Sequence, residues 1–403
     1  MINTDKICLI GLGKLGLPLL CTFAKNGQKI IGLDVDNNKI ELLRNKQIPF
    51  YEPLLQEYLH EGYNNIFLNH TYETVLDNID VAIILVNTPS NQYGEFSNDY
   101  IYQSVEKLSE LLKTSNKKDF LFVISSTVMP SSHEIIIKKI ETISGRKLNE
   151  GFGYVYLPDL VALGSVIKDF ENPDLLIMGE SESRYGDVAE KIYKNIIKND
   201  APIVRMSIIE SEITKVSLNA YITMKISFAN FIGNIAEKYN CNSNNITKAL
   251  GYDRRISPYY IKSGLAFGGT CFPRDTWAFI KMSENIGLDA IHIKATQKIN
   301  EKQNEILFDK VKEYKEKSIG IIGLSFKPNT TVDVESPGKI LYDKLKEKSY
   351  NVLSYDPLLE NLYSLENMIE KCEVVVITHN DKKLINNLNF ENKIVIDCWR
   401  ILK

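Results

Sequence analysis

Short apolar runs, each closed by glycine, serine, threonine or an acid, punctuate the first half of the chain. Lys6–Ile10 (KICLI) runs into glycines and Lys29–Leu33 (KIIGL) into Asp34. Asp80–Val86 (DVAIILV) runs into Asn87-Thr88-Pro89, and Phe120–Ile124 (FLFVI) into Ser125-Ser126-Thr127. Tyr154–Leu157 and Leu175–Met178 read as further strands. Helix-like segments lie between them, and this alternation predicts a parallel sheet covered on both faces. The plan returns near the C-terminus. Ser318–Ile322 ends at Gly323, Asn351–Tyr355 ends at Asp356-Pro357, and Glu373–Thr378 and Lys393–Asp397 follow. From Ser207 to about Asn300 no strand pattern occurs. Residues 209–238 instead repeat apolar Ile213, Val216, Ala220 and Met224 at three- and four-residue steps, the period of a long helix. The expected fold class is α/β: two Rossmann-like, doubly wound parallel-sheet domains joined by a long central helix that offers a dimer surface.

Composition narrows the function classes. The chain has 403 residues and a net charge of −3, which argues against a broad basic surface for nucleic acid. No apolar run reaches the ~18 residues of a membrane span. The opening MINTDKICLIGLG goes straight into a strand and a glycine turn, unlike a signal peptide, so a cytoplasmic protein is expected. Six scattered cysteines carry no CxxC or His-pair spacing, and neither a metal site nor disulfides are expected. Five of them are expected to act as small buried apolar residues.

Gly11-Leu12-Gly13-Lys14-Leu15-Gly16 is a GxGxxG directly after a strand and before a helix. The first glycine makes the turn, the second lets the backbone approach a pyrophosphate, and the third lets the helix pack on the strand. Asp34 closes the next strand, where an acid binds the adenosine ribose 2′-hydroxyl and repels a 2′-phosphate, so NAD is expected rather than NADP. Gly268-Gly269-Thr270-Cys271-Phe272-Pro273-Arg274-Asp275 opens room at the backbone, and Pro273 and Asp275 suit the first turn of a helix. Cys271 then sits at a helix N-terminus, an environment that favours thiolate. Lys215 and Asn219, four apart in EITKVSLN, share a helix face and suit a developing oxyanion. Taken singly, a buried structural cysteine and a solvated lysine face explain these two motifs equally well or better.

Together the motifs resemble the UDP-glucose/GDP-mannose dehydrogenase family over nearly the whole chain. The resemblance rests on GLGKLGLP, Ser126-Thr127-Val128, Pro158-Asp159-Leu160-Val161, Lys215 with Asn219, Asp253-Arg254-Arg255-Ile256, Ala266 through Asp275, Gly323 through Thr330, and Glu335-Ser336-Pro337. It implies an NAD-dependent four-electron oxidation of the sugar C6 alcohol to a carboxylate, through a thiohemiacetal and a thioester on Cys271. It implies that Lys215 and Asn219 stabilise oxyanions, that Asp275 orients the site, and that Asp159 and Thr127 handle the hydrolytic water. Gly11, Leu12, Gly13, Lys14, Leu15, Gly16, Asp34, Lys39, Thr88 and Thr127 would contact NAD. Asp159, Leu160, Val161, Lys215, Asn219, Arg255, Tyr260, Lys262, Phe267, Gly268, Phe272, Phe326 and Lys327 would line the nucleotide-sugar site. Arg255 would reach the neighbouring subunit's site in a homodimer. The implied organisation is an NAD-binding domain over 1–205, a central helical region with the catalytic cysteine over 206–305, and a UDP-binding domain over 306–403.

Three positions depart from the family pattern. Asp159 and Leu163 stand where glutamates are usual, and Val334 where an arginine is. Tyr51-Glu52-Pro53 is similar to the UDP-glucose branch, whereas Pro18 and Leu163 are similar to the amido-sugar branch. UDP-glucose is the expected substrate, ahead of a UDP-N-acetylhexosamine and GDP-mannose. A catalytically silent protein that binds NAD or a nucleotide sugar is the alternative of another class.

Overall fold

The computed structural model describes residues Ile2 to Leu402. Packing divides the chain into two compact units, one up to Val216 and one from Ser217 onward.

The first unit is built on one eight-stranded sheet. Its strands are β1 (Ile7–Ile10), β2 (Ile30–Leu33), β3 (Ile66–Asn69), β4 (Val81–Ile84), β5 (Leu121–Ile124), β6 (Gly153–Tyr156), β7 (Leu176–Glu180) and β8 (Ile203–Met206). They lie in the order β3-β2-β1-β4-β5-β6-β7-β8, which over its first six strands is the doubly wound dinucleotide-binding order. Alternation along each strand feeds two cores. Ile7, Leu9, Val81, Ile83, Leu121 and Val123 face one, and Cys8, Ile10, Ala82, Ile84, Phe122 and Ile124 the other. The sheet is not parallel throughout. β6 and β7 pair antiparallel through Val155–Glu180 and Tyr156–Gly179, so β7 and β8 run against the rest. Strands β3 and β8 fall outside the sequence expectation, and both are edge strands with partly exposed faces.

The second unit carries a four-stranded parallel sheet in the order β10-β9-β11-β12, with β9 at Ile319–Ile322, β10 at Val352–Tyr355, β11 at Val374–Ile377 and β12 at Ile394–Asp397. Ile319, Ile321, Val374 and Val376 pack into one core and Ile322, Val375 and Ile377 into another. The long helix is Ile208–Lys238, and its course crosses from the first unit into the second. The helices Ser243–Tyr252, Phe272–Asn285 and Ile291–Val311 complete the strandless stretch. Among the described residues no helix is long and apolar enough to cross a membrane.

Candidate active site

In the first unit the turn after β1 shows why each glycine stands where it does. Gly11 has φ +94°, and a Cβ there would lie 2.4 Å from the Leu85 carbonyl oxygen. A Cβ on Gly16 would lie 1.9 Å from the Gly11 carbonyl oxygen, so the helix Gly16–Lys25 approaches the turn as closely as a backbone can. Gly13 is different, with open space where its Cβ would be. That opening, at the start of a helix, fits a pyrophosphate. Lys14 is exposed beside it, Leu15 is half-buried, and Leu12 is buried. The Leu12 N–H donates to Asp34 Oδ2 at 2.8 Å, and the Lys39 ammonium donates to the same oxygen at 2.7 Å. Asp34 Oδ1 accepts from the Asp36 N–H at 2.9 Å. A carboxylate offers about four acceptor sites, so the pair remains able to accept from a ribose.

At the neighbouring strand ends Ser126 ties β4 to β5: it accepts from the Val86 N–H and donates to the Val86 carbonyl, both at 2.8 Å. Thr88 is buried at the end of this loop and Thr127 is half-buried. Asp159 follows β6. The Lys215 ammonium donates to its main-chain carbonyl at 2.7 Å, while its carboxylate Oδ2 is buried with no hydrogen-bond partner. Burial pushes the Asp159 carboxyl up to about 7, against the pull of the Lys215 charge. Asp159, Leu160 and Val161 line a small pocket with Leu157, Phe170 and Tyr193. The loop beyond is held by Glu52, whose oxygens accept from the N–H groups of Gly164 at 2.8 Å and Val166 at 2.9 Å.

In the second unit Cys271 is exposed and immediately precedes the helix Phe272–Asn285, with Pro273 in the first turn. Its sulfur lies 3.6 Å from Thr270 Oγ1. The glycines before it are tightly backed. A Cβ on Gly268 would lie 2.1 Å from the Glu335 carbonyl oxygen, and one on Gly269, at φ +83°, would lie 2.8 Å from the Phe326 ring. The Gly269 N–H donates to the Val334 carbonyl at 2.9 Å, so Val334 holds the turn through its main chain while its side chain stays exposed. Asp275 is fully buried. Its Oδ2 accepts from the Asn219 amide at 2.6 Å, and its Oδ1 pairs with the Arg274 guanidinium at 2.9 Å. Phe272 packs edge-on against Tyr260 and Phe267, at centroid distances of 6.2 and 6.5 Å. Lys327 lies over the Phe326 ring. Partial desolvation, then the like charges of Lys382 and Arg400 against the opposing pull of Asp397, hold the Lys262 ammonium below the usual lysine range. Such a cationic cluster suits a diphosphate. Arg255 is on an exposed loop, its guanidinium paired with Asp253 at 2.6 Å.

Several positioning residues escape a motif reading. Buried Glu212 accepts from the Ser131 N–H at 2.7 Å and the His133 N–H at 3.0 Å, and so anchors the long helix one turn before Lys215. Asn300 clasps Phe267, accepting from its N–H at 2.8 Å and donating to its carbonyl at 3.0 Å. Asn230 accepts from the Gly264 N–H and donates to the Leu265 carbonyl, both at 2.8 Å. A helix-borne carboxamide leaves no mark in sequence when its partners are main-chain groups far along the chain. Cys241 and Cys398 correct the expectation of five buried cysteines, because Cys241 is exposed just past the long helix and Cys398 is half-buried.

The second sheet repeats the turn of the first. Gly323 has φ +106°, a Cβ on Gly338 would lie 2.1 Å from its carbonyl oxygen, and the Leu324 N–H donates to Asp356 at 2.9 Å. Here the acid is sealed: its side chain is 1% exposed, against 9% for Asp34. Of the two acids, Asp34 is therefore the less enclosed.

Comparison with known proteins agrees with this division. Residues 5–197 match the NAD binding domain of the UDP-glucose/GDP-mannose dehydrogenase family, 209–302 its central domain and 320–403 its UDP binding domain. A GDP-mannose 6-dehydrogenase of Pseudomonas syringae pv. tomato is 30% identical over 360 residues, covering 88% of this chain and 81% of its own. A UDP-glucose 6-dehydrogenase of Rickettsia felis is 31% identical over 390 residues, covering 92% and 85%. Among solved structures, a UDP-glucose dehydrogenase from Pyrobaculum islandicum superposes with a TM-score of 0.90 at 27% identity, covering 98% of this chain and 94% of that one. With a cofactor cradle, a UDP binding domain and relatives of one reaction class, the chain belongs to the UDP-glucose/GDP-mannose dehydrogenase family and is an NAD-dependent nucleotide-sugar dehydrogenase.

Proposed function

We propose that the chain oxidises the C6 alcohol of UDP-glucose to the carboxylate of UDP-glucuronate, by covalent catalysis on Cys271. The observation that carries this reading is Cys271 itself: an exposed thiol at the start of a helix, on a glycine turn packed against Phe326, with buried Asp275 one turn along and fixed by Asn219. Gly11, Leu12, Gly13, Lys14, Leu15 and Gly16 hold NAD with Asp34, Lys39, Thr88 and Thr127, and NAD supplies the hydride acceptor, two equivalents per sugar. Loss of a hydride and a proton from the C6 alcohol gives the aldehyde; the Cys271 sulfur then adds to the aldehyde carbon, and the aldehyde oxygen takes the thiol proton, giving a thiohemiacetal. Loss of a hydride and a proton from that adduct leaves a thioester. Water then adds to the thioester carbon, the C–S bond breaks, and the acid and the thiol are released. Lys215 and Asn219 donate to the oxyanions of these steps. Asp159, with a carboxyl that titrates near neutrality, takes the proton of the attacking water, which Thr127 helps to place.

Leu160, Val161, Tyr260, Lys262, Phe267, Gly268, Phe272, Phe326 and Lys327 line the substrate site in this reading. UDP-glucose is favoured by Glu52, which carries the Tyr51-Glu52-Pro53 similarity and binds the loop next to Leu163. We assign the cofactor domain to 1–205, the central region to 206–305 and the UDP-binding domain to 306–403. The protein works as a cytoplasmic homodimer in which Arg255 reaches the neighbouring site. Tyr221, Phe228, Phe231 and Ile235 form an exposed apolar stripe at helical spacing on the long helix, continued just past its end by Tyr239, a surface suited to a second copy.

NADH formation with UDP-glucose, UDP-N-acetylglucosamine, UDP-N-acetylmannosamine and GDP-mannose tests the assignment. Two NADH per UDP-glucose with an acid product, and net turnover lost in Cys271→Ser, is the expected result. Turnover of another sugar alone overturns the substrate, and full activity of Cys271→Ser overturns the covalent route.

A further inference from the structure

Ser325, Asp356 and His379 form a buried polar cluster at the ends of β9, β10 and β11, outside the reaction chemistry. Asp356 Oδ2 accepts from the Leu324 N–H at 2.9 Å, the Ser325 N–H at 2.8 Å and the Ser325 hydroxyl at 2.8 Å. His379 Nε2 lies 3.0 Å from Ser325 Oγ and 3.1 Å from the Ser325 carbonyl oxygen. A carbonyl oxygen only accepts, so Nε2 carries the hydrogen and the ring donates into the turn. Burial holds the imidazole below its usual range, against the pull of Asp356, of its bond to the Ser325 carbonyl and of Asp381. The ring also closes off Gly323: a Cβ there would lie 2.3 Å from it. The two residues that follow Ser325 are Phe326, against which Gly269 is packed, and Lys327.

We propose that Ser325, Asp356 and His379 are positioning residues for substrate: they fix the Gly323–Lys327 turn so that Phe326 and Lys327 are presented to the nucleotide before it binds. The inference rests on the reading above that Phe326 and Lys327 line the nucleotide-sugar site. Preorganisation of this kind shows in affinity for the nucleotide, since a loose turn must be ordered at the moment of binding.

The test is calorimetric titration of the full chain with UDP, alongside KM for sugar and for NAD, in Ser325→Ala, His379→Leu and His379→Gln. Glutamine keeps an N–H donor near the place of Nε2. Ser325→Ala and His379→Leu are expected to weaken UDP binding and raise the sugar KM about tenfold or more. The KM for NAD stays constant, kcat at saturating sugar falls far less, and His379→Gln recovers most of the loss. If His379→Leu does not fold, Ser325→Ala, which removes one hydroxyl, decides. Wild-type affinity in folded Ser325→Ala and His379→Leu overturns the positioning role alone. A wild-type chain that binds neither UDP nor GDP overturns the site reading and the positioning role together.

Discussion

Lys215 binds Asp159 by its main-chain carbonyl, at 2.7 Å, and leaves one oxygen of the Asp159 carboxylate buried and unpartnered. A buried carboxylate without a partner resists ionisation, which is why this acid sits near 7.

That relationship has a stability consequence. Asp159 keeps its proton in the folded chain up to about pH 7 but loses it near pH 4 when unfolded. Its contribution is therefore fully present below about pH 4 and is lost as pH rises through about 7, a change of at most about 4 kcal/mol. Asp159→Asn flattens this slope and is more stable than wild type at pH 8. Denaturant unfolding of both proteins at pH 5 and pH 8 checks it, and identical slopes would refute the argument.

In the proposed mechanism the same acid sets the pH profile of the reaction. As general base Asp159 must be ionised, so thioester hydrolysis accelerates through about pH 7 and then levels off. Asp159→Asn slows that step by roughly 10²–10⁴, and an acyl-enzyme on Cys271 accumulates. Intact-mass spectrometry of quenched reactions detects it. An Asn variant with wild-type hydrolysis removes Asp159 from the mechanism.

Gly13 and Gly16 separate binding from folding. Gly16→Ala forces a Cβ against the Gly11 carbonyl oxygen and destabilises the first unit by about 1–3 kcal/mol or more. Gly13→Ala meets nothing in the protein, so its melting temperature stays near wild type while affinity for NAD falls. Thermal melts with and without NAD distinguish them. Equal NAD affinity in Gly13→Ala would place the pyrophosphate elsewhere.

Asn219 is the second anchor of Asp275, after Arg274. Asn219→Ala leaves one carboxylate oxygen in a buried site short of a donor, at a cost of about 1–3 kcal/mol. Both stability and the rate of Cys271 acylation fall. Asn219→Asp puts a second negative charge against Asp275 and is worse than alanine. A ranking in which aspartate is the milder change would show that the 2.6 Å contact does not hold in solution.

Sequence periodicity located the interior strands because they are buried on both faces and read as unbroken apolar runs, as in β4 and β5. It missed β3 and β8 because an edge strand mixes exposed and half-buried positions, as in Phe67 and Val204. The reversed direction of β7 and β8 was equally out of reach, since strand polarity is set by connections rather than by residue pattern. Glycine turns announced themselves through spacing, and Cys271 through its neighbours. Glu212, Asn230, Asn300 and His379 did not, because each acts on main-chain groups remote in sequence.

The sealing of Asp356 has a practical meaning for ligand design. Two turns of the same shape occur in one polypeptide, yet in the second the carboxylate is enclosed by Ser325 and His379. If Asp34 holds the adenosine ribose as proposed, compounds that mimic that ribose are expected to attach there and not at Asp356. Inhibitors of that kind can be optimised against one address per chain, and their titration should give one site per polypeptide.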